Sequence, residues 1–336
     1  MEFIKLPTPE KHKIFKEIRD KTGLVEVCIE KDVWVTTVLR SLFALPYAEH
    51  LSFKGGTSLS KCWNLIERFS EDIDIAINRE FLGFTGTLSK TQVSDRLRRA
   101  SCTFVREKLQ FDLAKQLAIS GISANLFSVN VNITPITTTD PEIIEIVYQS
   151  LFADSGYINP VVKLEISGRS MSEPLEKVML QSLVDEHFPN TPFAEKPFET
   201  NVVVPERTFL EKICLLHEEF AKPQEFVRTE RLSRHLYDLV QMADTSVAEK
   251  ALSNSELYKN VVEHRRVFIG LKGFDYNTLA PEKINFIPPE NVIAQWQKDY
   301  ETMRETMIYG KSATFDKLIE RLKRLNQQIN ETVKLA

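Results

Sequence analysis

The segment between residues 53 and 77 places two adjacent glycines ahead of a predicted helix and two alternating aspartates within a predicted strand. Gly55 and Gly56 let backbone N–H groups approach a phosphate without an intervening side chain. Asp72 and Asp74 alternate along the chain, so a strand directs both carboxylates to one face, where they can share a divalent metal. These features require a strand, a turn, a helix and a second strand, with the glycines and the aspartates at one edge.

The two pairs carry more weight together than either pair carries alone. Alternating aspartates also occur on the solvent-exposed face of an ordinary edge strand, and the pattern by itself leaves that alternative open. The chain has only 11 glycines, so an adjacent pair ahead of the aspartates favours a functional interpretation. The combination predicts a phosphate-binding turn beside a metal site. The residues expected to bind a nucleotide are Gly55, Gly56, Thr57, Ser58 and Ser70.

A phosphate-binding turn beside a metal site indicates nucleotidyl transfer, which needs metal ions to bridge a triphosphate and cations to neutralise the leaving pyrophosphate. The predicted cofactor is Mg²⁺ or Mn²⁺, bound by Asp72 and Asp74. A third carboxylate is expected, because two carboxylates rarely hold two Mg²⁺ ions against a triphosphate. Glu165 is the candidate, since its strand can pair beside the aspartate strand. A surface ion pair between Glu165 and Lys163 is the alternative.

The composition is that of a soluble globular protein, because 43% hydrophobic and 27% charged residues are enough to build and cover a full core. The formal net charge of −4 gives no overall basic field, so an RNA partner requires a local basic patch. Arginine-rich clusters at residues 96–99 and 264–266 are either such a patch or solvated helix faces.

Nothing in the sequence predicts export or membrane insertion. The first residues carry charges throughout and lack the apolar run of a signal peptide, and no apolar span of about 18 residues follows. We therefore expect a cytoplasmic protein without a membrane partner. The cysteines lack the spacing of a zinc site and are expected as buried thiols at Cys28, Cys62, Cys102 and Cys214.

The order of the predicted elements indicates an α/β half followed by a helical half. Strands are predicted at residues 51–54, 73–77, 127–133, 142–147 and 161–166. Helices are predicted before the first strand at residues 9–22 and 25–43, and between strands at residues 58–66 and 91–117. From residue 206 onward only helices are predicted, at residues 206–220, 229–243, 247–266, 289–309 and 312–335. A proline-rich passage at residues 189–205 separates the halves, so the predicted domains are residues 1–200 and 201–336.

Lys212 and Asp238 lie in the helical half, at polar positions of two amphipathic helices. By periodicity alone, both side chains are expected on a solvated face. His217 and His235 lie on the same two helices, and nothing in the pattern marks either as a chemical base.

With these residues in view, the chain resembles the AbiEii/AbiGii-type nucleotidyltransferase toxins of bacterial abortive-infection and type IV toxin–antitoxin systems. The most specific block is RFSEDID at residues 68–74, which follows FKGGTSLSK at residues 53–61. The other blocks are IEKDVW at residues 29–34, VKLEI at residues 162–166, EK at residues 211–212 and RHLYDL at residues 234–239. The combination is specific to the family, although most of the blocks are weak alone.

The resemblance implies a polymerase-β-like nucleotidyltransferase core with a mixed sheet, followed by an α-helical C-terminal domain. It implies that Lys212 binds nucleotide phosphates and that Asp238 is a catalytic-site carboxylate, with both residues reaching an interdomain cleft. The expected catalytic set is then Asp72, Asp74, Lys212 and Asp238. The chain departs from the broader polymerase-β pattern because 15 residues separate Gly56 from Asp72, more than is common in that superfamily.

The resemblance also implies partners. They are an NTP as substrate, tRNA 3′ ends or another RNA as acceptor, and a cognate antitoxin, with growth arrest as the biological result. Two alternatives stay open. One is a catalytically weak nucleotide-sensing or antitoxin-binding module, and the other is an enzyme that transfers the nucleotide to a protein. Retention of both glycines, both aspartates and the lysine favours catalysis.

Overall fold

The computed structural model describes residues 1–70, 72–131, 140–152 and 158–332, and the chain forms two compact units. The first unit comprises Met1–Cys62 and Ser70–Val203, and the second comprises Trp63–Phe69 and Val204–Ala336. The boundary predicted after residue 200 lies close to this division. The structure also places Trp63–Phe69 with the helical unit, which the sequence pattern does not predict.

The first unit is built on a mixed seven-stranded sheet. Its strands are β1 (Leu51–Lys54), β2 (Asp72–Ile77), β3 (Phe127–Val131), β4 (Glu142–Tyr148), β5 (Val161–Ser167), β6 (Leu175–Leu180) and β7 (Phe198–Val203). They are arranged in the order β3-β4-β5-β2-β1-β7-β6. β2 runs parallel to β5, and β1 runs parallel to β7, whereas the other neighbouring strands are antiparallel. The aspartate strand therefore lies in the middle of the sheet, paired on both sides.

Helices cover this sheet. They are α1 (Glu2–Lys5), α2 (Thr8–Thr22), α3 (Glu26–Phe43), α4 (Gly55–Lys61), α5 (Arg98–Phe104), α6 (Gln110–Ile119) and α7 (Leu183–His187). The π-helical turns Gln92–Leu97 and Val105–Leu109 join α5 and α6 into one helical stretch. α3 packs against β5 and β7, and Ile29, Val38 and Leu39 of this helix are completely buried. Burial of such apolar side chains contributes roughly 1.5–3 kcal/mol each.

Charged residues of α3 connect α4 to the rest of the first unit. Asp32 forms an ion pair with Lys61 of α4 and accepts a hydrogen bond from the Leu183 backbone N at 2.7 Å. Glu30 is buried and accepts from the Leu151 backbone N at 2.8 Å. Burial raises the pKa of Glu30. The IEKDVW block thus holds segments that lie far apart in the sequence.

The second unit is helical. Its helices are α8 (Pro205–Phe220), α9 (Ser233–Ala243), α10 (Ser246–Ser253), α11 (Ser255–His264), α12 (Glu290–Thr306) and α13 (Phe315–Thr332). Short 3-10 turns occur at Ala48–His50 in the first unit and at Gln224–Phe226 and Tyr276–Leu279 here, and a π-helical turn at Arg265–Ile269. α9 contacts α8, α10, α12 and α13, so the helix that carries Asp238 lies at the centre of the unit.

The predicted α/β class is confirmed, with differences at particular elements. The helix predicted at residues 58–66 spans Gly55–Lys61, so the predicted glycine turn is the first turn of α4. The helix predicted at residues 247–266 is interrupted at Asn254. The sequence predicts neither β6 nor β7. In the case of β7, the strand lies in the proline-rich passage. Residues 132 and 133 of the predicted third strand lie outside the described residues. None of the four cysteines, all of which lie in the described ranges, forms a disulfide, and all but Cys62 are buried.

None of the helices in the described ranges combines the length and the apolar character needed to cross a membrane.

Candidate functional site

The carboxylate of Asp74 packs directly over the α-carbon of Gly55. Gly55 has a φ of 80°, and a β-carbon built on it would lie 1.9 Å from Asp74 Oδ2. That distance is far inside van der Waals contact, and the backbone conformation is one that favours glycine. β1 and β2 are antiparallel neighbours with Lys54 opposite Asp74. The glycine turn and the aspartate strand therefore form one local structure, and the predicted side-by-side strands are confirmed.

The hydroxyl groups of the glycine turn make contacts within the fold. Thr57 Oγ1 donates to the backbone carbonyl of Asp72 and lies 3.0 Å from Ser70 Oγ. Ser58 Oγ donates to the backbone carbonyl of Gly55 at 2.9 Å. Thr57 and Ser58 are 1% and 0% exposed, so these contacts favour a role in bracing the turn against the start of β2. Nucleotide binding by these hydroxyls stays a prediction.

Asp72 and Asp74 lie on one face of β2, and both side chains are half-buried. β5 runs beside β2 in parallel register, with Lys163 opposite Asp72 and Glu165 opposite Asp74. The strand pairing that made Glu165 a candidate ligand is therefore present. Glu71, which precedes the strand, lies outside the described residues.

The chemistry of Asp72 and Asp74 fits Mg²⁺ or Mn²⁺, because carboxylate oxygens are the hard ligands that these ions prefer. Within the described part of the chain, no three His, Cys, Asp or Glu side chains are gathered so that they could hold a metal alone. Glu165 as a third ligand stays a prediction. A pair of carboxylates still suits Mg²⁺, which commonly takes one or two from the protein and other ligands from substrate phosphates.

In the second unit, Asp238 is the centre of a buried charge cluster with Arg68 and Lys212. Arg68 Nε and Nη2 donate to Asp238 Oδ1 and Oδ2 at 2.7 and 2.8 Å. Lys212 Nζ lies 2.9 Å from Asp238 Oδ2. The three residues are at most 6% exposed. A carboxylate this deeply buried requires paired charges and hydrogen bonds, and Asp238 has both.

The cluster shifts the pKa values of its members. Burial raises the pKa of Asp238, but the charges of Arg68 and Lys212 outweigh burial and hold that pKa below its usual range. Burial lowers the pKa of Lys212, and Asp238 opposes this only in part. Both oxygens of Asp238 are bound and its proton affinity is low. Its contacts therefore favour a positioning role, and the catalytic role that the resemblance implies for Asp238 stays a prediction.

His235 is a further partner of Lys212, and the two nitrogens, Nδ1 and Nζ, lie 3.2 Å apart. Burial and the charges of Lys212 and Arg234 lower the pKa of His235 well below its usual value, so the imidazole is neutral. Because a lysine ammonium only donates, Nδ1 accepts and the ring proton resides on Nε2. The ammonium of Lys212 is therefore held by two acceptors, a carboxylate and an imidazole.

The start of α9, which carries His235 and Asp238, is fixed by a side chain from α12. Asp299 accepts hydrogen bonds from the backbone N of Arg231 at 2.6 Å and of Ser233 at 2.9 Å, and from the Ser233 hydroxyl. Arg231 has a φ of 58°, a left-handed conformation that is costly for residues other than glycine. Asp299 thus stabilises a strained turn and satisfies N–H groups that a helix start leaves unpaired.

We expect Asp299→Ala to lower the free energy of unfolding by about 1–2 kcal/mol, the usual cost of losing a helix cap. Urea unfolding followed by circular dichroism measures the loss. Asn254→Ala is the matched variant, because Asn254 caps α11 through the Leu257 backbone N at 2.9 Å. Asp299→Ala should lose at least as much as Asn254→Ala, since it also releases a strained turn. A smaller loss would contradict the role given to Asp299.

The basic clusters at residues 96–99 and 264–266 are not continuous tracks for an RNA backbone. Arg98 is 4% exposed and donates to the Ser94 carbonyl at 2.9 Å. Arg265 is 9% exposed and donates through Nε to Glu218 at 2.6 Å. The middle arginine of each cluster is therefore structural. Burial lowers the pKa of Arg265, but the hydrogen bonds to Glu218 and the charge of that carboxylate together outweigh burial and raise the pKa.

The sequence predicts no role for two residues that contact α9, Arg68 and Asp299. For Arg68, its position in the RFSEDID block close to the aspartates could have indicated one. Asp299 offers no local signal, because its partner Ser233 lies 66 residues away along the chain.

The chain matches one family model and is similar to solved structures of other proteins. A family model described as nucleotidyl transferase AbiEii toxin, type IV toxin–antitoxin system, matches residues 37–321. Among solved structures, the chain is similar to MenT4, nucleotidyltransferase toxin Rv2826c from Mycobacterium tuberculosis H37Rv, with 16% identity, coverage of 98% of this chain and 99% of that chain, and a TM-score of 0.44. It is also similar to JHP933 from Helicobacter pylori, with 15% identity, coverage of 93% and 95%, and a TM-score of 0.43. No curated protein matches the sequence.

Proposed function

Because the chain belongs to the AbiEii nucleotidyltransferase toxin family of type IV toxin–antitoxin systems, we propose that it transfers a nucleoside monophosphate from an NTP to an RNA acceptor. The 3′ end of tRNA is the acceptor class we favour. Growth arrest in the bacterial cytoplasm is the proposed result, and a cognate antitoxin is the proposed partner. A nucleotide added to the 3′ end of a tRNA would prevent an amino acid from being attached there. Growth arrest would follow because that tRNA could no longer serve translation.

One observation carries the proposal. The Asp74 carboxylate lies against the α-carbon of Gly55, and Asp72 stands on the same face of β2. A glycine turn and two aligned carboxylates are thus brought together in the first unit. Glycine leaves backbone groups accessible to phosphate oxygens, and the carboxylates suit a divalent cation that neutralises a triphosphate.

In the proposed reaction, the acceptor hydroxyl oxygen forms a bond to the α-phosphorus of the NTP. The bond from that phosphorus to the oxygen bridging to the β-phosphate breaks, pyrophosphate leaves, and the hydroxyl proton passes to solvent. Mg²⁺ or Mn²⁺, held by Asp72 and Asp74, would neutralise phosphate charge and lower the pKa of the acceptor hydroxyl. The Gly55-Gly56 turn holds the phosphates through its backbone N–H groups.

Lys212 is proposed to neutralise charge that develops on the leaving pyrophosphate, an interaction that grows in the transition state. Its ammonium is oriented by Asp238 and by the neutral His235. An ammonium has three donors, so these two contacts leave one for a phosphate oxygen. Orientation before the substrate binds avoids reorganisation during the reaction.

Incubation of the full chain with Mg²⁺, total tRNA and each NTP labelled at the α-phosphate tests the proposal. Label in RNA supports transfer to an RNA acceptor, and trimming of the labelled RNA from its 3′ end locates the modification. Label in protein would replace the RNA acceptor by a polypeptide. NTP binding without any transfer would favour the nucleotide-sensing alternative and overturn the proposal.

Gly55→Ala is expected to reduce transfer about 100-fold, the order of loss that follows a misplacement of about 1 Å at a reacting centre. The added β-carbon would overlap the Asp74 carboxylate, from which it would lie 1.9 Å away, so Asp74 must move. The measurement is the rate of label incorporation at saturating NTP.

Gly83→Ala is the matched variant. Gly83 has a similar φ of 86°, but a β-carbon built there meets nothing within 4 Å. It reproduces the backbone strain of Gly55→Ala without displacing a carboxylate, so transfer should stay within about twofold of wild type. Equal losses in the two variants would assign the effect to backbone strain alone.

A further inference from the structure

The segment Trp63–Phe69 is held within the second unit by backbone hydrogen bonds. The Phe69 N–H donates to the Met307 carbonyl at 2.7 Å, and the Tyr309 N–H donates to the Glu67 carbonyl at 3.1 Å. Between these bonds, Arg68 and Ile308 form an antiparallel bridge. The backbone of residues 67–69 thus has a fixed position in the unit that carries α8 and α9.

The Arg68 side chain anchors the same segment to α9. Two of its nitrogens donate to the two oxygens of Asp238, and Nη1 donates to the Phe69 carbonyl at 3.2 Å. The neighbouring Glu67 N–H donates to the hydroxyl of Tyr237 at 3.3 Å. Arg68 is 2% exposed, so water does not replace these contacts. A single guanidinium therefore joins the segment, α9 and, through Asp238, the ammonium of Lys212.

The chain leaves this anchored segment directly for the proposed catalytic strand. Phe69 is the last residue of the segment in the second unit, and β2 begins at Asp72. The 15 residues between Gly56 and Asp72 contain the whole of Trp63–Phe69. The spacing between the glycines and the aspartates therefore includes a segment that belongs to the helical unit.

We propose that Arg68 is a positioning residue for nucleotidyl transfer. Through Asp238 it fixes the orientation of the Lys212 ammonium, and its contacts hold residues 67–69 within the second unit. The inference rests on the proposed function, because positioning has a kinetic meaning only if Lys212 takes part in transfer. The planar guanidinium is suited to this role, since it binds both carboxylate oxygens at once in a fixed direction.

Arg68→Lys tests the inference because it keeps the charge and removes the two-point geometry. The matched variant is Arg265→Lys, which makes the same change in another buried arginine–carboxylate pair of the second unit, with Glu218. Two readouts are needed, kcat and KM for the NTP, and hydrogen exchange of a peptide covering residues 63–69. Both variants are assayed below their unfolding temperatures.

We expect Arg68→Lys to lower kcat and kcat/KM together by about 10- to 100-fold, as for an interaction realised in the transition state. Exchange in residues 63–69 should accelerate about tenfold or more. Arg265→Lys should keep kcat within about threefold of wild type and leave exchange in that peptide unchanged. Equal kinetic losses in the two variants, or a rise in KM alone, would overturn the positioning role.

The two proposals can fail separately. If the wild-type chain transfers no nucleotide, the proposed function fails, and exchange alone then decides the anchoring role of Arg68. Unchanged exchange in Arg68→Lys would overturn the anchoring, whereas accelerated exchange confined to this variant would support it.

Discussion

Asp72→Asn is expected to lower nucleotidyl transfer by about 1000-fold or more while leaving the fold intact. The substitution removes one of two carboxylates from the proposed metal site, and a loss of about 4 kcal/mol of transition-state stabilisation corresponds to three powers of ten. The Asp72 side chain is half-buried at the start of β2, so the isosteric amide fits the same space. Asp74→Asn should have a similar effect, because the two residues share one face of the strand. The measurement is the initial rate of label transfer from an NTP labelled at the α-phosphate.

Glu199→Gln is the matched variant for the aspartates. It converts a carboxylate to an amide on another strand of the same sheet, β7, where Glu199 is exposed and forms a surface ion pair with Lys177. Its transfer rate should equal that of wild type within about twofold, since surface ion pairs contribute little. Transfer by Asp72→Asn at a comparable rate would refute the role given to the aspartate pair.

Asp238→Asn is expected to lower the free energy of unfolding by about 3–5 kcal/mol, the usual cost of breaking a buried ion pair by removing one partner. The amide leaves Arg68 and Lys212 close together without a compensating charge, in a cluster where Asp238 is 0% exposed. Glu320→Gln removes an exposed pair with Arg324 in the same unit and should cost less than about 1 kcal/mol. Equal losses in urea unfolding would show that the buried cluster contributes no more than a surface pair.

The dependence of stability on pH gives a second signature of this cluster. The pKa of Asp238 is lowered in the folded state, because Arg68 and Lys212 outweigh burial. A carboxyl group with a lowered pKa contributes stability above its unfolded value of about 3.9, and this contribution is lost as the pH falls below that value. The difference between wild type and Asp238→Asn should therefore be full at neutral pH and shrink as the pH is lowered through 4. A difference that stays constant with pH would contradict the ion-pair explanation.

The arrangement of the glycines and aspartates in the first unit could be predicted from the sequence because its determinants are local. A glycine pair and alternating aspartates specify a turn and a strand by their own conformational preferences, and the alternation in β5 correctly placed Lys163 and Glu165 on one face. The contact between Gly55 and Asp74 follows from pairing two strands that lie close together in the chain.

The charge cluster of Arg68, Lys212 and Asp238 in the second unit could not be predicted from periodicity, because its members are distant in sequence. Asp238 and Lys212 occupy polar positions of amphipathic helices, where exposure is the usual outcome. Asp238 can be buried because it pairs with Arg68, which lies 170 residues away in the sequence. Only the family resemblance indicated that these positions matter, and it did not indicate that Arg68 binds both oxygens of the carboxylate. β7 was missed for a different reason, since the prolines on either side of it concealed a strand.

In the proposed reaction, this chain breaks the bond between the α- and β-phosphates of an NTP and joins the nucleotide to RNA. The most direct measurement compares two labels of the same NTP, one at the α-phosphate and one at the γ-phosphate, in parallel incubations with total tRNA and Mg²⁺. We expect RNA to acquire the α label and none of the γ label, with release of labelled pyrophosphate in the second incubation. Transfer of the γ label to RNA, or an absence of label from RNA with every NTP, would refute nucleotidyl transfer to RNA.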